Sequence, residues 1–276
     1  MNYPRRFVFR GNASGVSAHI RRPNDRILTV QGASSLPVTG GLSESKVGPK
    51  SLDDYLSFQF AETSVKGDFT NANAAIAITN NKKLPDEVPT QTSVIAAVGG
   101  LRIGNLFRAD LAQAGLISRS PKNRGDQPSV RLEGNKLEGI QIGGRDVNIT
   151  LDEGIFNRCD TLEKLKTAYS KGFPAAQAAM FHTLARKPGA KLQVSGGMAY
   201  ATLVRKVEWP KGKPDGLTEL GPNAFYLDGL GSIFFAELLI SSASRRLTMI
   251  RFQFGSPFGG DASIAEGETN GSHWPE

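Results

Sequence analysis

Residues Ser232–Phe254 constrain the fold of this chain more than any other stretch of the sequence. They contain two apolar runs, Ile233–Ile240 and Leu247–Phe254, separated by the small, polar segment Ser241–Arg246. Short apolar runs that are rich in β-branched and aromatic residues and bounded by turn residues are typical of strands. The segment therefore predicts a long antiparallel hairpin.

The register of this hairpin can be predicted from its alternation of apolar and polar residues. Pairing Ile240 with Leu247 begins the apolar face, and one extra residue near Ile250, a β-bulge, keeps that face continuous. This register places Glu237 opposite Arg251 on the other face. The predicted core face consists of Phe234, Ala236, Leu238, Ile240, Leu247, Met249, Phe252 and Phe254, with Phe235 and Leu239 on the opposite face.

Because both faces of the predicted hairpin include apolar residues, we expect it to lie inside a sheet rather than at an edge. Two interpretations of Glu237 and Arg251 stay open. They form a cross-strand ion pair, or they mark a polar site on a buried sheet face, where perturbed carboxylates tend to be functional.

The composition favours a protein built from many short strands. The chain has 276 residues, including 31 Gly and 15 Pro, which supply many turns. We expect a mainly β fold, either an antiparallel β-sandwich or a flattened barrel, with a two-helix insertion. The prediction is a single β-rich domain over residues 1–276, with the helical insertion at residues 158–188.

The helical insertion is predicted from its caps. Asp160 and Glu163 have the spacing of a capping box, and Gly172 ends the first helix. Pro174 suits the first turn of a second helix, Ala175–Arg186.

Charge is distributed unevenly along the chain, whose net charge is +7. Residues 1–26 contain six Arg and one Asp, whereas residues 255–276 contain four acidic residues and no Lys or Arg. Opposite charges at the two ends suggest that the ends meet, within one chain or between subunits. The candidate binding or interface residues are Arg5, Arg6, Arg21, Arg22, Glu237 and Arg251.

Several chemistries lack the residues that they need. Three His and one Cys, far apart in sequence, give no zinc-ligand spacing, so we predict no metal site and no cofactor. Neither a phosphate-binding loop nor a dinucleotide fingerprint is present. Cys159 lies just ahead of a predicted helix, which would lower the pKa of a thiol, but an incidental thiol is the preferred interpretation.

The sequence favours a non-catalytic binding or assembly module that associates with itself. One alternative is a hydrolase that uses paired carboxylates on a carbohydrate-type substrate, if Asp152, Glu153, Asp228 and Glu237 converge. A second, less favoured alternative is nucleic-acid binding through the N-terminal arginines. We expect a cytoplasmic protein with no membrane partner, because neither a signal sequence nor a long apolar run is evident.

Overall fold

The computed structural model describes residues 6–69, 90–120, 127–181 and 198–274. These residues form two antiparallel sheets and three short helical segments. The first sheet consists of β1 (Arg6–Ile20), β2 (Arg26–Ser35), β13 (Met198–Thr202), β15 (Leu217–Gly221), β16 (Ala224–Leu227), β17 (Gly231–Ser241), β18 (Ser244–Phe254) and β19 (Gly260–Trp274).

The second sheet contains the remaining strands. They are β3 (Gly41–Val47), β4 (Lys50–Leu52), β5 (Leu56–Phe58), β6 (Phe60–Phe69), β7 (Thr90–Ile103), β8 (Phe107–Arg119), β9 (Ser129–Leu132), β10 (Lys136–Glu138), β11 (Ile140–Ile142), β12 (Arg145–Leu151) and β14 (Val204–Glu208). The strand β3 pairs antiparallel with β6.

The strand order of the first sheet places the first and last strands of the chain side by side. The first sheet has the order β15-β16-β17-β18-β19-β1-β2, and β13 adds to β17. The second has the order β14-β12-β11-β8-β7-β5-β4, with β6 joining β7 to β3. The first and last strands are neighbours, with Ser14 opposite Glu266, so the two ends of the chain meet within one molecule.

The two sheets pack face to face as a β-sandwich, which confirms the predicted fold class. Contacts join β1 and β19 of the first sheet to β7 and β8 of the second. Side chains such as Val16, Val94, Leu116 and Ile264 are fully buried between them. Burying these apolar surfaces supplies the main driving force for folding, about 25 cal/mol per Å² removed from water.

The predicted hairpin is present and central, but its register was wrong, and Phe234 and Phe235 lie on the opposite faces from those predicted. β17 and β18 pair with Leu238 opposite Leu247 and Phe234 opposite Arg251, rather than Glu237 opposite Arg251. Phe235 is buried, whereas Phe234 lies half-buried on the outer face. The hairpin has neighbours on both sides, β16 and β13 beyond β17 and β19 beyond β18.

A break in the hydrogen-bond ladder explains the exchanged face. Ala236 on β17, Ala265 on β19 and Gly32 on β2 have left-handed φ angles of 49°, 52° and 63°. Pairing skips the rows that contain them and resumes in the same register beyond. The alternation of side chains changes phase at this line, so Phe235 and Ala236 are both buried.

The helical insertion consists of α1 (Gly154–Arg158), α2 (Leu162–Ser170) and α3 (Ala175–Ala178). Thr161, not Asp160, caps α2, because its side chain accepts a hydrogen bond from the Lys164 amide at 3.2 Å. No helix in the described ranges is long and apolar enough to cross a membrane.

The second predicted helix is shorter than its sequence pattern indicated. The helix α3 ends at Ala178, and Phe181 then forms an isolated β-bridge with Ala201. The Phe181 ring packs against Phe156 and stacks on Phe173 at a centroid distance of 5.4 Å. Burial of this ring competes with helix continuation. Residues 182–187 of the prediction lie outside the described residues.

Candidate functional site

The pair Glu237–Arg251 lies at the centre of the outer face of the first sheet. Arg251 donates two hydrogen bonds to the carboxylate, Nε to Oε2 at 2.5 Å and Nη2 to Oε1 at 2.8 Å. Its guanidinium carbon lies 3.9 Å from the centroid of the Phe234 ring. The predicted ion pair is therefore present despite the wrong register, because the break brings both side chains to the same face.

A second carboxylate network lies next to this pair. Glu266 accepts hydrogen bonds from Thr248 at 2.9 Å and Ser263 at 3.2 Å, and it pairs with Arg246 at 2.6 Å. The hydrogen bond to Glu266 raises the pKa of Arg246 above its ordinary value. Glu266 of the acidic C-terminal strand is thus neutralised within the chain, by Arg246 of β18.

An open groove begins beside Arg251. It has a volume of about 430 Å³ and is lined by Arg21, Arg251, Gln253, Gly260, Asp261, Ala262 and Ser263. A second groove of about 350 Å³ shares Arg21 and Gly260 with the first. It is also lined by Arg22, Phe254, Gly255, Ser256, Pro257 and Gly259. The two grooves form one trough, which passes from the sheet face to the turns after β1 and β18.

The structure brings three of the six candidate residues to this trough. Arg21 and Arg22 come from the turn between β1 and β2, and Arg251 comes from β18. Glu237 is attached to it through Arg251. Arg6 pairs with Trp274 through its backbone at the start of β1, and Arg5 lies outside the described residues.

Three of the four candidate carboxylates have separate partners. Asp152 accepts from the Gly154 amide at 2.8 Å, Glu153 accepts from the Asn135 side chain at 2.7 Å, and Glu237 pairs with Arg251. Asp228 lies in the turn before β17, where its main-chain amide donates to the carbonyl of Gly216 at 3.2 Å. A turn is an ordinary setting for Asp.

The structure does not support a reactive thiol at Cys159. Cys159 follows the C-terminus of α1 rather than preceding α2 directly, and it is buried. Burial raises the pKa of the Cys159 thiol above its ordinary value. A raised pKa keeps the thiol neutral and unreactive at neutral pH.

Arg245 is the residue that the sequence analysis missed. Its side chain is 1% exposed, and it donates hydrogen bonds to the main-chain oxygens of Phe156, at 3.0 Å, and Cys159. Burial lowers the pKa of Arg245 to about 10, so it is still charged at neutral pH. The sequence did contain a signal for this burial. Arg245 lies two residues before Leu247 on the same strand, so both side chains face the core.

The edge of the first sheet exposes large apolar side chains. On β2, Ile27 is 66% exposed and Val30 is 49% exposed. Val38, just before β3, and Leu42, on β3, are also exposed. Exposed apolar side chains on an edge strand favour association with another chain.

Metal binding has no structural support in the part of the chain that the structure describes. No group of three or more His, Cys, Asp or Glu side chains comes together there.

The fold and these surfaces define a β-sandwich with a helical insertion, a polar trough and an apolar edge. The chain belongs to the family described as Domain of unknown function (DUF8256), which it matches over residues 7–241. No curated protein and no solved structure matches the chain.

Proposed function

We propose that this protein is a non-catalytic binding or assembly module that associates with a second copy of itself through β2. The observation that supports this proposal is the exposure of Ile27 and Val30 on an edge strand. In the described residues, β2 pairs only with β1, and residues 26–30 of its N-terminal half are exposed or half-buried, so this half is accessible to a partner.

Three other edge strands have charged side chains in ion pairs. On β3, Lys46 pairs with Glu62 at 2.5 Å, and on β14, Lys206 pairs with Glu208 at 2.6 Å. On β15, Glu219 pairs with Lys213 at 3.0 Å. Charged side chains on edges oppose strand addition. By contrast, the only charged residue of β2 is Arg26, at its first position.

The sequence of β2 is compatible with antiparallel pairing to its own copy. A twofold axis through Leu28 would place Leu28 opposite its own copy and Ile27 opposite Thr29 of the second copy. The same register places Arg26 opposite Val30, so the two Arg26 side chains do not meet. An isologous contact of this kind closes as a dimer rather than growing into a filament.

Light scattering coupled to size exclusion tests this proposal over a range of protein concentrations. We expect a dimer for the native chain and a monomer for the double variant Ile27→Asn, Val30→Asn. The control is Ile95→Asn, Leu220→Asn, because these side chains are similarly exposed but lie on β7 and β15. A native monomer at high concentration, or equal dissociation of the control, would contradict the proposal.

The hydrolase alternative has less support. The carboxylates of Asp152, Glu153 and Glu237 each have separate partners, whereas hydrolysis of a glycosidic bond needs two carboxyls facing one substrate.

A further inference from the structure

The trough contains two arginines that are free to bind an anion. Arg21 and Arg22 are exposed, and neither is ion-paired to a carboxylate of the described residues. Arg251 is already neutralised by Glu237, and Asp261 is the only carboxylate that lines the trough. The trough therefore has an excess of positive charge, on a chain whose net charge is +7.

The remaining lining is polar and includes an aromatic ring nearby. Gln253 and Ser263 supply amide and hydroxyl groups on the sheet face. The Tyr226 ring is partly exposed and lies beside Gly255, which lines the second groove.

Strand register relates the tyrosine to the sheet face on which the trough begins. Tyr226 lies opposite Ser232, which lies opposite Gln253. Gln253 lies opposite Asp261, and Asp261 lies opposite His19, two residues before Arg21. Four strand spacings of about 4.8 Å make this row about 19 Å long. The row suits an extended ligand rather than a single ion.

We infer that the trough binds single-stranded nucleic acid, with phosphates at Arg21 and Arg22 and a base stacked on Tyr226. A basic groove beside an aromatic platform is the arrangement by which proteins hold single strands without strong sequence preference. An acidic peptide would satisfy the arginines but offers no base to stack on Tyr226. The inference is independent of self-association through β2.

Fluorescence anisotropy with a fluorescein-labelled 20-nucleotide oligothymidylate, measured between 50 and 200 mM NaCl, tests the site. Arg21→Gln with Arg22→Gln should weaken binding about tenfold or more at the lowest salt. It should also reduce the slope of log affinity against log salt by about 1.4, because each lost phosphate contact on a single strand contributes about 0.7. Tyr226→Ala should weaken binding about tenfold with the slope unchanged.

The matched control is Arg102→Gln with Arg145→Gln. These arginines are also exposed but lie on the second sheet, so the control removes the same charge from a different surface. We expect this control to bind within about twofold of the native chain. Thermal unfolding should be unchanged in all three variants, because the substituted side chains are exposed, and light scattering should show the same mass.

Three results would overturn the inference. One is the absence of salt-dependent binding by the native chain. Another is an equal loss of affinity in the Arg102/Arg145 control, which would show diffuse attraction to net charge. The third is displacement of the oligonucleotide by a 20-residue polyglutamate at equal concentration, which would identify the trough as an acidic-peptide site.

Discussion

Arg245 on β18 donates a hydrogen bond from Nη1 to the main-chain oxygen of Phe156 at 3.0 Å, and so joins the helical insertion to the first sheet. A second hydrogen bond, from Nη2, reaches the oxygen of Cys159. Both acceptors lie at the C-terminal end of α1, where helix carbonyls lack partners within the helix. A cation is also favoured at that end of a helix.

Replacing Arg245 with Met should destabilise the protein by roughly 2–6 kcal/mol, because two buried carbonyls lose their donor at about 1–3 kcal/mol each. Urea unfolding followed by circular dichroism measures the change. Arg246→Met is the control, because Arg246 is half-exposed and its ion pair with Glu266 is worth about 1 kcal/mol or less. Equal losses in the two variants would contradict the anchoring role of Arg245.

The thiol of Cys159 should report whether the insertion is docked. Cys159 is buried beside the Arg245 contact, so the native protein should react slowly with a thiol reagent such as dithionitrobenzoate. Denaturant should expose it fully. In Arg245→Met the reaction should be at least tenfold faster under native conditions, because the insertion opens more often. Reaction at the same slow rate in both proteins would exclude local opening as the consequence of the substitution.

Stability should also fall at alkaline pH through this thiol. Burial raises the pKa of the Cys159 thiol above its ordinary value of 9.0, so well below that pH the thiol is neutral in both states and makes no pH-dependent contribution. As the pH rises through 9.0, the unfolded chain loses this proton first, which favours unfolding until the native thiol also titrates. The slope is at most about 1.4 kcal/mol per pH unit.

The contribution of Cys159 is measured by difference, because other groups titrate in the same range. Urea unfolding of the native chain and of Cys159→Ala between pH 8 and pH 10 gives the two profiles. We expect the native chain to lose stability relative to Cys159→Ala above pH 9.0. Parallel profiles would show that the thiol pKa is the same in both states.

The alternation of apolar and polar residues predicted the hairpin. It could not predict which of Phe234 and Phe235, the residues before Ala236 on β17, faces the core. Alanine gives no sequence signal for a left-handed φ, whereas glycine would have suggested one. The break changes the phase of both strands together, so Phe234 and Phe235 exchanged places relative to the prediction. The Glu237–Arg251 contact was still predicted correctly, because two long side chains reach each other diagonally across the pair.

Only the part of the site that belongs to a cluster of like charges in the sequence could be predicted. The N-terminal arginine cluster indicated Arg21 and Arg22, but sequence order gives no indication that Arg251, more than 200 residues later, lines the same trough. The strand order, with β1 next to β19 and β19 next to β18, produces that convergence. Residues 41–47 could not be predicted as a strand, because β3 has no buried apolar side chains to produce an alternating pattern.

The Glu237–Arg251 pair should stabilise the fold modestly, which a double-mutant cycle measures. Both side chains are about 30% exposed, so solvent screens the pair, although its bidentate geometry and the Phe234 ring strengthen it. From urea unfolding of Glu237→Gln, Arg251→Met and the double variant, we expect a coupling free energy of roughly 1 kcal/mol. It should fall in 1 M NaCl, because salt screens partly exposed charges. The matched cycle is Lys206→Met with Glu208→Gln, a more exposed pair on β14, where we expect a coupling below about 0.5 kcal/mol. If the two cycles give the same coupling, the outer face of the first sheet does not strengthen the Glu237–Arg251 pair beyond an ordinary surface contact.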